Sequence, residues 1–205
     1  MADAGTNAFY PSRPRISIAG REVPELAEGL LEMSIEETTA GLFSCEASFG
    51  NWGPAAGSVG FLYFDRRVLD FGAALTIVMG DSATVAPVFE GRITAIEGRF
   101  PQQRPPALQV LAEDRCQDLR MVRRTRTFED VTDEDVFRDI ASEHGLTPQL
   151  DIDGPTYKTL AQVNQSDLAF LRDRARAIDA EVWVEGSQLF AQARTRRKAG
   201  APITL

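Results

Sequence analysis

Few residues in this chain belong to the types that carry catalysis or bind metals. The 205 residues include one histidine, His144, and two cysteines, Cys45 and Cys116, which are far apart and form no CxxC pair. A zinc site needs three or four Cys or His ligands at set spacings, so the sequence excludes one. His144 is predicted to end a helix, where its partial charge complements the helix dipole. The two cysteines are predicted to be buried free thiols of a protein from a reducing compartment.

Other motifs with a known chemistry are also incomplete. The stretch DIDGPTYKT at 151–159 is similar to a calcium loop, but it lacks the alternating ligands and the closing glutamate. Gly53, Gly57 and Gly60 fit neither GxGxxG nor a GK[ST] loop. No GxSxG motif occurs, and 30 acidic residues are too many to single out a catalytic carboxylate pair. The sequence therefore predicts no enzyme, with no catalytic residue, no metal ligand and no cofactor.

The charge pattern argues against nucleic acid and favours a protein partner. The net charge is −8 and the pI about 4.8, whereas binding phosphate needs clustered Lys and Arg. A basic run, Arg120, Arg123, Arg124 and Arg126, is followed by an acidic run from Glu129 to Asp135. Such blocks are either solvated surface or a polar contact between subunits. No signal peptide and no apolar stretch of roughly 20 residues is present, which predicts a soluble protein made in the cytoplasm without stable membrane insertion.

The elements that must position these residues begin with β-strands. Short segments at 15–23, 30–41, 43–49, 74–80, 88–100 and 107–116 predict a small antiparallel β-barrel or sandwich. We take the barrel as the expectation, over residues 14–126 and after a flexible arm at 1–13. Leu31, Met33 and Ile35 are expected to share the buried face of one strand. A long irregular segment, residues 50–72, interrupts the strands and carries several aromatic side chains. Loops of this length are often functional, and one this aromatic is expected to pack either on its own domain or on a neighbouring subunit.

The pattern changes to a small α+β module over residues 127–193. A helix is predicted to begin at a capping box formed by Thr132 and Asp135 and to end at Gly145. Its apolar face is predicted to consist of Val136, Phe137, Ile140 and Ala141. Ser166 is the predicted N-cap of a second helix, followed by a hairpin that turns at Gly186-Ser187. The predicted class is thus mainly β with an α+β module: a barrel followed by a helix–helix–hairpin domain. Residues 194–205 are expected to be a linker.

Four segments, taken in order, resemble a known family. They are FLYFDRRVLDFG (61–72), VFEGRITAIEGRFP (88–101), RTRTFEDVTDEDVFRDIASEHGL (124–146) and NQSDLAFLRDRARAIDAEVWVEGSQLFA (164–191). The set is similar to the N-terminal part of the late control D family of phage tail proteins. Relatives of that family are the spike–hub proteins of extracellular contractile injection systems and the VgrG proteins of type VI secretion.

This resemblance implies a structural baseplate hub of a tail or injection particle, made in the bacterial cytoplasm. Family members are homotrimers that join a hexameric inner tube to a trimeric spike, with two similar barrels in each subunit, and the hub region carries no catalytic residues. The implied partners are further copies of the chain, the inner tube protein, the spike and other baseplate proteins. The second barrel would begin near KAGAPITL, where this chain stops.

Two other functions are weighed against the hub. A cell-wall hydrolase associated with such a machine has no positive feature in the sequence. A free-standing barrel that binds sugar or oligonucleotide would expose aromatic residues among Lys and Arg, and the aromatic segment here is adjoined only by Asp65, Arg66 and Arg67. Within the hub hypothesis the predicted contact residues are Trp52, Phe61, Tyr63 and Phe64, together with Arg120, Arg123, Arg124 and Arg126.

Overall fold

A computed structural model describes residues 13–38, 43–55, 57–80 and 85–197 of the chain. The chain divides into two compact units. Unit 1 comprises Met1–Glu36 and Ser44–Ala112, and unit 2 comprises Glu37–Phe43 and Glu113–Leu205. The predicted border at 126/127 falls within a strand, so the change from sheet to mixed structure comes earlier than the residue pattern indicates. Most of the predicted arm at 1–13 and residues 198–205 of the predicted linker lie outside the described residues.

Unit 1 is built on a seven-stranded sheet. Its strands are β1 (Arg15–Ile18), β2 (Arg21–Glu22), β3 (Leu30–Glu36), β4 (Ser44–Gly50), β7 (Ala74–Gly80), β8 (Val85–Arg99) and β9 (Ala107–Glu113), in the spatial order β2-β1-β7-β8-β9-β4-β3. A short helix, α1 (Pro24–Glu28), precedes β3. Alternate side chains of the strands, including Ile16, Phe49, Ile77, Phe89 and Leu108, are buried and form the core.

The predicted closed barrel is not found. The sheet starts at β2 and ends at β3, and these two edge strands do not pair with each other in the described part of the chain. Closing a barrel requires edge strands that share a ladder of hydrogen bonds, and β2 is only two residues long. Unit 1 is therefore an open, mostly antiparallel sheet.

The face of β3 also differs from the prediction at one position. Met33 and Ile35 are partly buried as expected, but Leu31 is exposed. The pairing of β3 with β4 shifts register between Leu30 and Glu32. A bulge adds one residue to one strand and turns the side chain at that position, which an alternating pattern cannot reveal.

The long aromatic segment contains a small hairpin. Strands β5 (Gly53–Ala55) and β6 (Ser58–Gly60) pair antiparallel, with Gly53 opposite Gly60. Trp52 and Phe61 therefore flank the base of this hairpin. The segment that the sequence predicts as irregular is thus partly ordered.

Unit 2 contains the predicted helices. The two predicted ones are α3 (Asp133–Glu143) and α4 (Asp167–Ala177), and two short helices that the sequence did not indicate, α2 (Cys116–Arg120) and α5 (Arg194–Arg197), are also present. The capping box of Thr132 and Asp135 is present at the start of α3, and Ser166 caps α4 through a hydrogen bond from the Ala169 amide. Gly145 follows α3 with φ +62°, the left-handed conformation expected of a residue after a helix. The apolar faces of α3 and α4 are buried together with Leu189 and Ala191.

The strands of unit 2 are more numerous than predicted. The hairpin β13 (Ala180–Glu185) and β14 (Gln188–Ala193) turns at Gly186-Ser187 as expected, but β11 (Thr147–Asp151) pairs parallel with β14. A separate two-stranded ribbon joins β10 (Arg123–Val131) to β12 (Tyr157–Ser166). A helix–helix–hairpin domain is therefore too simple a description of unit 2. None of the helices in the described part of the chain is long and apolar enough to span a membrane.

Both cysteines are expected to be unreactive while the chain is folded. Cys45 and Cys116 are buried, and burial raises the pKa of each thiol to about 12, with a smaller contribution from the adjacent carboxylates of Glu46 and Asp114 respectively. Because the thiolate is the reactive form, a chromogenic disulfide reagent at mildly alkaline pH should label neither residue until denaturant is added. Rapid labelling of either cysteine in the folded protein would show that its thiol is accessible.

Candidate functional site

Four aromatic side chains form a continuous cluster in unit 1. Trp52 meets Phe61 edge to face at 5.2 Å between ring centroids, and Phe61 lies 4.9 Å from Phe64. Phe100, at the end of β8, is 6.1 Å from Phe61 and 5.7 Å from Phe64. These separations are those of favourable aromatic pairs. We call these four residues the aromatic cluster.

The aromatic cluster faces solvent to an unusual extent. Trp52 is 48%, Phe61 46% and Phe100 64% exposed, and Phe64 is half-buried. Single exposed apolar residues are common, but a contiguous apolar patch marks a surface that binds a partner. Of the four predicted aromatic contact residues, Tyr63 does not belong to this surface. Its side chain is 7% exposed, and its hydroxyl lies 3.5 Å from the Glu25 carbonyl oxygen.

A buried asparagine holds the backbone that presents the cluster. Asn51 is 0% exposed, and its side-chain Oδ1 accepts hydrogen bonds from the amides of Leu62 at 2.9 Å and Tyr63 at 2.8 Å. The backbone N–H of Asn51 donates a hydrogen bond to the Pro106 carbonyl oxygen at 2.9 Å. Asn51 therefore fixes the segment between Phe61 and Phe64 to the end of the sheet, and the aromatic side chains keep a defined arrangement.

Gly98 lies directly beneath two rings of the aromatic cluster. A Cβ atom built on Gly98 would lie 3.0 Å from the Phe100 ring and 3.1 Å from the Phe64 ring. Any larger residue would push both rings away from β8. The two rings can lie against the strand only because position 98 has no side chain.

Four of the charged residues that adjoin the cluster in sequence form two ion pairs. Arg67 lies 3.3 Å from the carboxylate of Asp65, and Arg99 lies 3.0 Å from that of Glu97. Arg66 stacks over the exposed ring of Phe71 at 4.9 Å. Exposed pairs of this kind add little stability, but they leave the surroundings of the cluster without a strong charge of either sign.

The four arginines that are predicted to form a contact bind partners within unit 2. Arg120 pairs with Glu113, and Arg123 donates to the Asn164 carbonyl oxygen at 3.4 Å. Arg124 and Arg126 both bind Asp167, at 3.1 and 2.9 Å, and Arg126 also binds Glu143 at 2.6 Å. Partners within unit 2 therefore occupy much of the hydrogen-bonding capacity of these four residues, and their contact with another subunit stays a prediction.

Asp167 is the centre of this network. It is 1% exposed, and it accepts further hydrogen bonds from Gln162 at 2.8 Å and from His144 Nε2 at 2.8 Å. Burial raises the pKa of Asp167, but the hydrogen bonds from His144 and Gln162 and the charges of Arg126 and Arg124 outweigh it and hold the pKa below its ordinary value. His144 thus has a structural role at the end of α3, with a partner that the sequence did not identify.

Sequence reasoning missed Phe100 and Asn51. Phe100 is exposed beside a proline-rich turn, and only the chain path of β8 brings it to residues 61–64. Asn51 precedes the segment that it holds by eleven residues. A polar residue next to an aromatic, glycine-rich loop is a usable signal for such a clamp, since its amide can satisfy loop backbone groups.

Replacing Asn51 with alanine is expected to destabilise unit 1 by about 1–3 kcal/mol, because two loop amides lose their buried acceptor. Urea denaturation followed by Trp52 fluorescence, in a Trp183→Phe background, measures this change. Ser58→Ala is the control, since that hydroxyl makes only an exposed contact in the same hairpin. An Asn51→Ala midpoint equal to that of Ser58→Ala would contradict a clamping role.

Comparison with known proteins identifies one family and several similar folds. The model of a family described as the Alg8 N-terminal domain matches residues 45–199. No curated protein sequence matches the chain. The 43 kDa tail protein of prophage MuSo2 from Shewanella oneidensis is 13% identical, with a TM-score of 0.70 over 88% of this chain and 53% of its own.

Two further solved structures have a fold similar to that of the chain. The tail protein from Neisseria meningitidis MC58 is 13% identical, with a TM-score of 0.63 over 89% of this chain and 51% of its own. The E. coli c3393 protein, a component of the type VI secretion system, is 13% identical, with a TM-score of 0.59 over 87% of this chain and 48% of its own. At these identities the likeness shows a shared fold. The chain spans about half the length of each of these three proteins.

Proposed function

The chain belongs to the Alg8 N-terminal domain family and has the fold of phage tail proteins, and on that premise we propose that it is a structural component of a tail-like particle. The observation that carries the proposal is the match of 88% of the chain, both units included, to a prophage tail protein. A likeness confined to one sheet would be weak, because single folds serve many functions. Here the likeness extends over 88% of the chain, with a TM-score of 0.70.

We further propose that the chain is the N-terminal part of a baseplate hub of the late control D type. In this role it joins a hexameric inner tube to a trimeric spike as a homotrimer. A trimer can meet a hexamer only if every subunit offers two similar surfaces. Unit 1 would supply one such surface, and a second sheet domain beyond the present chain would supply the other. Because the chain spans about half of the tail proteins that it matches, that length is compatible with a subunit of this design.

The side chains support assembly rather than catalysis. The aromatic cluster supplies an exposed apolar face in unit 1, whereas the single histidine is held by Asp167 in a network that fixes α3, α4 and β10 to one another. Both features are those of a rigid part that binds other proteins. We therefore propose a non-enzymatic role. Clearing of cell-wall material by the purified chain would contradict it.

Incorporation into particles tests the proposal. A tagged chain is expressed at its native level, the tail-like particles are isolated by sedimentation, and their proteins are identified by mass spectrometry. We expect the chain to sediment with tube and spike proteins. A chain that stays in the soluble fraction, while complete particles form, would contradict the structural role.

A further inference from the structure

The surface that carries the aromatic cluster is also free of charge. Residues 50–64, GNWGPAAGSVGFLYF, contain no Asp, Glu, Lys, Arg or His, in a chain that is 25% charged. Within this segment Trp52, Val59 and Phe61 are exposed. Exposed segments of soluble proteins normally carry charges, so fifteen consecutive uncharged residues mark a surface that is covered in the working state of the protein.

The charge of the whole chain indicates which partner can cover it. Each copy carries a net charge of −8, so two copies repel each other over most of their surfaces. Contact between copies is favoured where that repulsion is weakest, at an uncharged patch. The neighbouring charges do not change this, because Asp65 is paired with Arg67 and Glu97 with Arg99.

Binding of a protein with a different sequence would be expected to rely on other interactions. Recognition of an unlike partner commonly relies on complementary charges, which steer the encounter and exclude wrong partners. Next to the aromatic cluster Asp65 and Glu97 are paired with Arg67 and Arg99, which leaves few charges there for this purpose. An apolar, neutral face is instead typical of permanent contacts between identical subunits.

We propose that Trp52, Val59, Phe61, Phe64 and Phe100 form the surface by which one copy of this chain binds a second copy. This inference rests on the proposed function, which requires several copies in one particle, and it specifies which part of the chain joins them. Asn51 and Gly98 are positioning residues for this surface. Asn51 fixes the segment through the amides of Leu62 and Tyr63, and Gly98 lets the rings of Phe64 and Phe100 lie against β8.

Placing a carboxylate on this surface tests the inference. Sedimentation equilibrium of the 205-residue chain gives the dissociation constant between copies. We expect Phe61→Asp and Val59→Asp each to raise it by about 30-fold or more, as expected for central interface residues. Both positions are exposed, so the variants should fold, which circular dichroism verifies. Val163→Asp is the matched control, since Val163 is an equally exposed valine on β12 of unit 2.

Salt provides a second readout. Association through an uncharged face should persist or tighten as salt is raised, because salt screens the repulsion between the like-charged copies. Association that weakens steadily with salt would contradict an apolar contact.

The possible failures are distinguishable. If Phe61→Asp and Val59→Asp associate like the wild type while Val163→Asp does not, the contact lies elsewhere and the inference is wrong. A wild-type chain that is monomeric at every concentration, yet sediments with tail-like particles, overturns the second copy as partner and leaves the proposed function intact. A chain absent from particles overturns the proposed function itself.

Discussion

Replacing Asp167 with alanine is expected to destabilise unit 2 by about 3–5 kcal/mol. This carboxylate is almost fully buried and receives Arg124, Arg126, His144 and Gln162. Its loss removes the acceptor of Arg124 and of His144 and one of the acceptors of Arg126 and Gln162. Removing one partner of a buried charge network costs far more than the net contribution of the network. Urea denaturation followed by Trp183 fluorescence, in a Trp52→Phe background, measures the change in unit 2.

The matched control is Asp173→Ala on the same helix. Asp173 pairs with Arg176 at 3.0 Å, but both side chains are exposed, so little change in stability is expected. Equal effects of the two substitutions would mean that the network around Asp167 does not hold unit 2 together.

The same network gives unit 2 a defined response to acid. The pKa of Asp167 is lower in the folded protein than the ordinary value of about 3.9. The stabilisation from Asp167 is therefore complete above that value and is lost as the pH falls through the lower pKa of the folded state. The difference in stability between wild type and Asp167→Ala should shrink progressively below about pH 4. A difference that stays constant to low pH would contradict this.

Replacing Arg174 with methionine is expected to cost about 3–5 kcal/mol in unit 2, because Asp133 would be left buried without its cation. Arg174 binds the two oxygens of Asp133 at 2.6 and 3.1 Å and stacks over Tyr157 at 4.6 Å. Gly154 closes over the carboxylate, since a Cβ built there would lie 3.0 Å from Asp133 Oδ2. Water therefore has little room to replace the arginine.

Arg176→Met serves as the control for this substitution. Arg176 lies two residues further along α4 and contacts only the exposed Asp173 among carboxylates of the described residues. Denaturation with Trp183 as the probe should show a large loss for Arg174→Met and almost none for Arg176→Met. A small loss for both would show that Asp133 finds another partner or takes up a proton without cost.

Local signals in the sequence predicted most of the elements that depend on neighbouring residues. The capping box at Thr132, the N-cap Ser166 and the turn at Gly186-Ser187 all lie where their patterns indicate. Each is decided by residues within one turn of helix or one hairpin. For the same reason, the strand at 74–80 could be placed to within a residue, whereas the segment predicted at 30–41 extends beyond Glu36, where β3 ends.

Features set by distant residues were not predictable in this way. The ribbon of β10 and β12 has few apolar side chains, and it exists because its buried face meets α3 and α4, with Phe128 stacked on Phe170 at 5.9 Å. Whether the sheet closes depends on the length of β2, which alternation does not show. Tertiary context decides such cases.

The candidate surface was predicted in part. Trp52, Phe61 and Phe64 were identified because a long aromatic loop is unusual, and they form one cluster. The arginine run was assigned to the same purpose from its charge alone. Arg124 and Arg126 bind Asp167, which is more than 40 residues away, and Arg126 also binds Gln162, 36 residues away. Local patterns therefore could not indicate that these side chains have partners within unit 2.

Electron cryo-microscopy of particles containing the native-level protein tests the structural role most directly. Density for the open sheet of unit 1 and the mixed fold of unit 2 should lie where the tube meets the spike, in three copies that meet through residues 50–64. Complete particles in which this density is absent, or lies away from the junction between tube and spike, would contradict the assignment as a hub.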